Sequence, residues 1–237
     1  MKLLALETST ERMSLGLQDG DRQWTHEAEG GAQSSAHLIP AIMRLLEEAQ
    51  LRLNELDAIG LGQGPGAFTG LRTACAVAQG LALGANLPVL PIDTLLCVAE
   101  DARTHCPRVL VVMDARMNQV YSGAYEWQHN TWHTLQTPHL ANPSDLTVPR
   151  EWAGQDMALA GNTSASPALH AELQQLPHLP VAHWLSLWPS ASALLRLGAA
   201  AWQRGEAVAP ELALPVYVRD QVALTTAERL RLKAAQA

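Results

Sequence analysis

Two acidic residues close apolar, strand-sized runs in the two halves of the sequence: Glu7 after Leu3-Leu4-Ala5-Leu6, and Asp114 after Val109-Leu110-Val111-Val112-Met113. A carboxylate at a strand end facing a cleft is a usual place to hold a metal–nucleotide, or to take a proton from a hydroxyl in a phosphotransferase. A short polar loop follows each acid, and the hydroxyls of the first, Thr8-Ser9-Thr10, suit either a bound phosphate or a plain hairpin turn. The third stretch with chemical potential is Leu61-Gly62-Gln63-Gly64-Pro65-Gly66-Ala67-Phe68-Thr69-Gly70-Leu71-Arg72. Its alternating glycines permit positive φ or close approach to another surface, and Pro65 fixes one φ. Backbone N–H groups at such a turn, and at the helix start behind it, suit an anion, while a strand-to-helix connection with no ligand accounts for the same pattern. A Walker A loop is excluded, because no Gly-Lys pair occurs here. The relaxed dinucleotide fingerprint Gly62-x-Gly64-x-x-Ala67 is interrupted by Pro65, and residues 81–90 offer no acid for a ribose.

Other constellations carry less. His129 and His133 stand four apart with His139 beyond, but the segment reads as a hairpin, so these are expected to be solvated rather than metal ligands. Neither a Gly-x-Ser-x-Gly elbow nor a His-Glu-x-x-His helix is present. Three cysteines, Cys75, Cys97 and Cys106, form no C-x-x-C pair and predict reduced thiols. A net charge of −7 without a Lys/Arg cluster argues against this chain alone gripping a phosphate backbone. Residues 73–90 lack charge, yet Gln79, Asn86, Pro88 and several Gly and Ala make them too weakly apolar for a membrane span. Met1-Lys2 leads straight into a strand-sized run, which predicts no signal peptide and a cytoplasmic location.

The elements that must position these residues repeat. Residues 3–7, 13–17 and 22–28 read as an antiparallel meander with a turn at Asp19-Gly20, and a helix follows with apolar Leu38, Ile42, Leu45, Leu46 and Ala49. A strand over 56–61 enters the glycine turn, a helix spans about 68–85, a strand 89–92 and a helix 94–104. From residue 108 the pattern restarts: a strand ending in an acid, a polar loop, a returning strand at 120–125 and a turn at His129-Asn130. A strand at 157–160, a helix at 190–204 capped by Ser190 and stopped by Gly205, and an extended 216–219 follow. The expected organisation is a duplicated α/β fold with an N-terminal lobe over 1–106, a C-terminal lobe over 107–222, and a charged tail over 223–237 opened by a Thr225-x-x-Glu228 capping box. Gly70, Ala74, Ala78 and Ala82 make one helix face smooth. Internal packing against the sheet accounts for such a face, and the alternative expectation is that it packs on a partner's helix together with Leu38, Ile42 and Leu45.

With these residues in view, the chain closely resembles the bacterial TsaB (YeaZ) family. The match is carried by Leu3-Leu4-Ala5-Leu6-Glu7-Thr8-Ser9-Thr10, His37-Leu38-Ile39-Pro40, the signature from Gly64 to Arg72, Asp114-Ala115-Arg116 with Val120-Tyr121, and Pro215-Val216-Tyr217-Val218-Arg219. The resemblance implies the actin/hexokinase/Hsp70-like (ASKHA) fold. It implies a role in making threonylcarbamoyladenosine beside the anticodon of tRNA, as the non-catalytic partner of a TsaD-type subunit, joined by a TsaE-type ATPase and meeting tRNA only through the complex. A homodimer is an expected state of the chain alone. Catalytic relatives carry a metal-holding His-x-x-x-His pair, and Thr94 and Val98 lie at the matching positions, where neither replaces imidazole. No catalytic residue, cofactor or metal is therefore expected. The rival reading is a stand-alone ATP-dependent phosphotransferase or acyltransferase of the same fold. Many family members have Asp where this chain has Glu7.

Overall fold

The computed structural model describes residues 1–31, 34–179 and 181–219. The expected tail helix and its capping box lie outside these residues. Two five-stranded sheets are built on one plan. In the first, β1 (Lys2–Glu7), β2 (Arg12–Asp19) and β3 (Arg22–Glu29) form an antiparallel meander, and β4 (Ala58–Gly64) and β5 (Val89–Asp93) add parallel to β1, giving the order β3-β2-β1-β4-β5. In the second, β6 (Arg108–Arg116), β7 (Gln119–Gln128) and β8 (Thr131–Ala141) repeat the meander. There β9 (Met157–Gly161) and β10 (Val181–Ser186) add parallel to β6. The matching strand order makes the duplication explicit and is the α/β architecture of the ASKHA fold.

Local chemistry sets the joints. Gly20 (φ 60°) turns β2 into β3, and His129 (φ 50°) and Asn130 (φ 61°) turn β7 into β8, both residues left-handed as a tight hairpin requires. Helix α1 (Ser34–Ala49) precedes β4, and α2 (Phe68–Ala85) connects β4 to β5, ending where Asn86 takes φ 55°. Helix α3 (Thr94–Ala102) follows β5, capped by the Asp93 carboxylate, which accepts a hydrogen bond from Leu95 N at 2.8 Å. In the second unit two short 3-10 turns stand where α1 stood, α4 (Pro167–Gln174) replaces α2, and α5 (Ala191–Gln203) replaces α3. Ser190 caps α5 by accepting from Ala193 N at 3.0 Å, and Gly205 follows at φ 73°. The sequence reading anticipated neither α4 nor β10. One is eight residues long, and the other alternates weakly and is half-exposed.

The central strands of the first sheet are buried on both faces, while the edge strand β3 is largely exposed. Successive β1 residues point opposite ways, so Leu4 and Leu6 pack with α1 and α2 while Leu3 and Ala5 pack with Leu194, Leu195 and Ala201 of α5. Helix α3 meanwhile buries Leu95, Val98, Ala99 and Ala102 against Val109, Val111 and Tyr125 of the second sheet. The two sheets divide near residue 106, but the packing does not. Each lobe's closing helix covers the other lobe's half of the molecule, and the chain returns to the first sheet after α5, where Val208 bridges Val89. Among the described residues no helix is long and apolar enough to cross a membrane.

Candidate interlobe site

Glu7 sits at the end of β1, but its carboxylate is turned into the fold and is 1% exposed. Oε1 accepts from Ser9 N at 2.6 Å, and Oε2 accepts from the Thr94 hydroxyl at 3.3 Å. Thr94 Oγ1 in turn accepts from Gly64 N at 3.0 Å, so one network joins β1, β4 and α3. Burial pushes the Glu7 carboxyl above its ordinary range, and its hydrogen bonds from Ser9, Thr94 and Thr8 only partly offset that. A methyl group added at Gly62 would lie 2.0 Å from Oε2, which explains a glycine in the middle of this strand.

The glycine turn clamps the β1–β2 loop. Ala67 N donates to Ser9 O at 2.6 Å, and the Thr8 hydroxyl donates to Gly70 O at 2.8 Å. A Cβ at Gly70 would lie 1.9 Å from Thr8 O. One N–H expected to meet an anion therefore meets the first loop, and the strand β4 runs through Gly62 to Gly64 before the turn begins.

Thr94 and Val98, the positions that the resemblance matches to a histidine pair, are both engaged inside the fold. The hydroxyl of Thr94 is engaged as described, and the Val98 side chain is fully buried in the apolar contact between α3 and the second sheet. A hydroxyl and an isopropyl group do not make a site for a borderline cation. Next to them Asp93 does two jobs that the sequence did not signal. Besides capping α3, its Oδ2 accepts from the Tyr125 hydroxyl at 2.6 Å, tying the end of β5 to β7 of the other lobe. Burial raises this carboxyl to about 6 and, with the neighbouring carboxylate, pushes the Tyr125 phenol well up.

Asp114 does not end its strand as the sequence predicts: β6 continues to Arg116, with a shift in its register against β7 just after Asp114. Asp114 accepts from Arg116 N at 2.7 Å, and its own N–H donates to Asn162 Oδ1 at 2.9 Å. With Ser9, Thr10, Gly66, Ala67 and Asn162 it lines a cavity of about 90 Å³ between the lobes. A second cavity of about 220 Å³ shares Pro65–Ala67 and Ala115–Arg116 as walls and is closed on its other side by residues 216–219. The two acids are thus held differently: one is enclosed, the other is folded back on its own turn.

The seven residues expected at a partner interface are buried inside this chain. Leu38, Ile42, Leu45, Ala74, Ala78 and Ala82 belong to the core between the first sheet and helices α1 and α2, and Gly70 is pressed against Thr8. Their small size lets α2 lie close on its own sheet, the same close packing that a partner helix would have required. The outward faces of the two helices carry Ile39 and Met43 on α1, and Ala76, Gly80 and Leu83 on α2, all exposed. His129 and His133 are exposed at the β7–β8 hairpin. Among the described residues no three His, Cys, Asp or Glu side chains are grouped to hold a metal ion.

A family model described as TsaD, tRNA N6-adenosine threonylcarbamoyltransferase, matches residues 22–227. The tRNA threonylcarbamoyladenosine biosynthesis protein TsaB of Escherichia coli K12 is 31% identical over 227 residues, 94% of this chain and 96% of that protein. The protein of the same name from Haemophilus influenzae is 42% identical over 124 residues, 51% of this chain and 52% of that one. In structure, YeaZ from Pseudomonas aeruginosa superposes with a TM-score of 0.82 at 38% identity, over 91% of this chain and 99% of that one.

Proposed function

Because the chain belongs to the TsaB (YeaZ) family, we propose that it serves threonylcarbamoylation of the adenosine beside the anticodon of tRNA as a non-catalytic subunit that binds and activates a TsaD-type catalytic subunit. A TsaE-type ATPase joins the assembly, tRNA is met only through it, and the site of action is the cytoplasm. The observation that carries the non-catalytic reading is the closed Glu7–Thr94–Gly64 network, in which the acid and the hydroxyl at the family's chemical positions bond to each other and to backbone. A carboxyl sealed from solvent, with both oxygens already accepting from Ser9 and Thr94, is poorly placed to hold a cation or take a proton from a substrate.

Docking of the catalytic subunit is assigned to the outward faces of α1 and α2. They pair exposed Ile39, Met43 and Leu83 with small Ala76 and Gly80, so a partner's helices can approach closely. The chain alone would use the same faces in a homodimer.

The test is reconstitution with TsaD-type and TsaE-type subunits, ATP, a supplied activated threonylcarbamoyl donor and unmodified tRNA. Wild-type chain, Glu7→Gln and Asp114→Ala should support modification to within about threefold of one another, since neither residue touches reacting atoms. A loss of a hundredfold or more in either variant, with assembly intact, would overturn the non-catalytic reading. Product formed by the chain without the TsaD-type subunit would favour the stand-alone transferase instead.

A further inference from the structure

After α5 the chain crosses from one lobe to the other over the mouth of the interlobe cavities, and it is fastened at each step. Ala213 is fully buried, and its carbonyl accepts from Cys75 Sγ at 2.9 Å and Gln79 Nε2 at 3.3 Å on α2. Val216 N donates to Gln63 O at 2.7 Å, extending the end of β4. Gly64, at φ 112°, leaves the room this needs, because a Cβ there would lie 2.7 Å from Val216 O. Tyr217 then stacks on Phe68, its ring centroid 5.3 Å away, and its hydroxyl accepts from Arg72 Nε at 3.0 Å. The Arg72 guanidinium lies 3.8 Å over the Phe68 ring.

The far end of the segment holds the other lobe. Arg219 donates from one terminal nitrogen to Ala115 O at 2.9 Å and to Arg116 O at 3.4 Å. These carbonyls belong to the β6–β7 turn, in which Arg116, Met117 and Asn118 are left-handed in succession, with φ of 65°, 56° and 56°. Three consecutive non-glycine residues in that region need support from outside the turn, and backbone strain of this kind gathers at switch and clamp segments. Arg219 supplies that support from a segment rooted in the opposite lobe.

We propose that residues 213–219 are an interlobe latch: anchored on the first lobe by Cys75, Gln63 and the Phe68–Arg72 pair, they hold the left-handed 116–118 turn of the second lobe and fix the width of the cleft between them. The latch also walls the 220 Å³ cavity, so its release is the step that opens that space to solvent. The device stands on this geometry alone and is independent of the proposed function.

Its signature is communication between groups that do not touch. Arg72 is on α2, and among the described residues its hydrogen bond and ring contacts go to Tyr217 and Phe68, not to the 116–118 turn. Hydrogen exchange of the full chain should therefore show the Arg116 and Gln119 amides exchanging about tenfold faster in Arg72→Ala, as in Arg219→Ala, while the amides of β1 and β6 stay protected. Val216→Pro, which deletes the N–H given to Gln63, should do the same and replaces Arg72→Ala if that variant exchanges throughout. Acceleration confined to Arg219→Ala would show a local prop and overturn the latch. Unchanged exchange in all three variants would overturn it as well.

Discussion

Asp93 and Glu7 give this fold a pH dependence opposite to that of a surface carboxylate. The Asp93 carboxyl is raised by burial from its ordinary 3.8 to about 6, so the folded chain holds a proton that the unfolded chain has released between those values. Its contribution is present in full below about pH 4 and is lost as pH rises through about 6, a change of roughly 3 kcal/mol for a shift of about two units. Glu7 is raised by the same cause and acts in the same direction. Half-exposed Glu55 and exposed Glu206, held low by Arg52 and Arg204, act the other way but at the surface, where solvent screens them. Denaturant midpoints should therefore increase as pH falls from 7 to 5. In Asp93→Asn, which stays neutral at every pH, that increase should shrink by half or more. An unchanged slope would show that Asp93 is not the titrating group.

At the scale of elements, α2 presents two faces that the sequence does not tell apart. Ala78 lies in the core against the first sheet, so Ala78→Arg puts an unpaired charge inside the lobe at a cost of about 3–5 kcal/mol and should lower the melting temperature of the isolated protein sharply. Leu83 points outward, so Leu83→Arg should leave the melting temperature within about 2 °C of wild type and instead weaken co-purification with a TsaD-type subunit at least tenfold. Normal melting of Ala78→Arg would contradict the packing described. Normal complex formation by Leu83→Arg and Met43→Arg together would take the partner off this face.

For the molecule as a whole, duplication followed by exchange of closing helices makes the two lobes interdependent. Helix α5 covers the first sheet, α3 packs on the second, and the strap after α5 returns across the cleft. Surface charge is the other property of the whole. With a net charge of −7 the isolated chain has little to offer a phosphate backbone, and filter binding at physiological salt should find tRNA affinity weaker than about 10 μM. Submicromolar binding without partners would contradict this.

The sequence alone determined what is local or periodic. The acid-ended strand at Glu7, the glycine turn before α2, the Ser190 cap and the Gly205 stop lie where short-range patterning puts them, while β6 runs two residues past Asp114; the repeated order of these signals made the duplication legible. What required the tertiary structure depends on residues far apart in the chain. Small residues every turn along α2 satisfy a neighbouring sheet and a partner's helix equally well, so Gly70, Ala74, Ala78 and Ala82 were open to either reading until the core was seen. Asp93 and Tyr125 are joined across 32 positions, and Arg72 and Tyr217 across 145. Neither pair has a periodic signature, because a hydrogen bond constrains only the two atoms that make it. The direction of the Glu7 carboxylate was likewise decided by Gly62 and Thr94 around it, neighbours that only the folded sheet brings within reach.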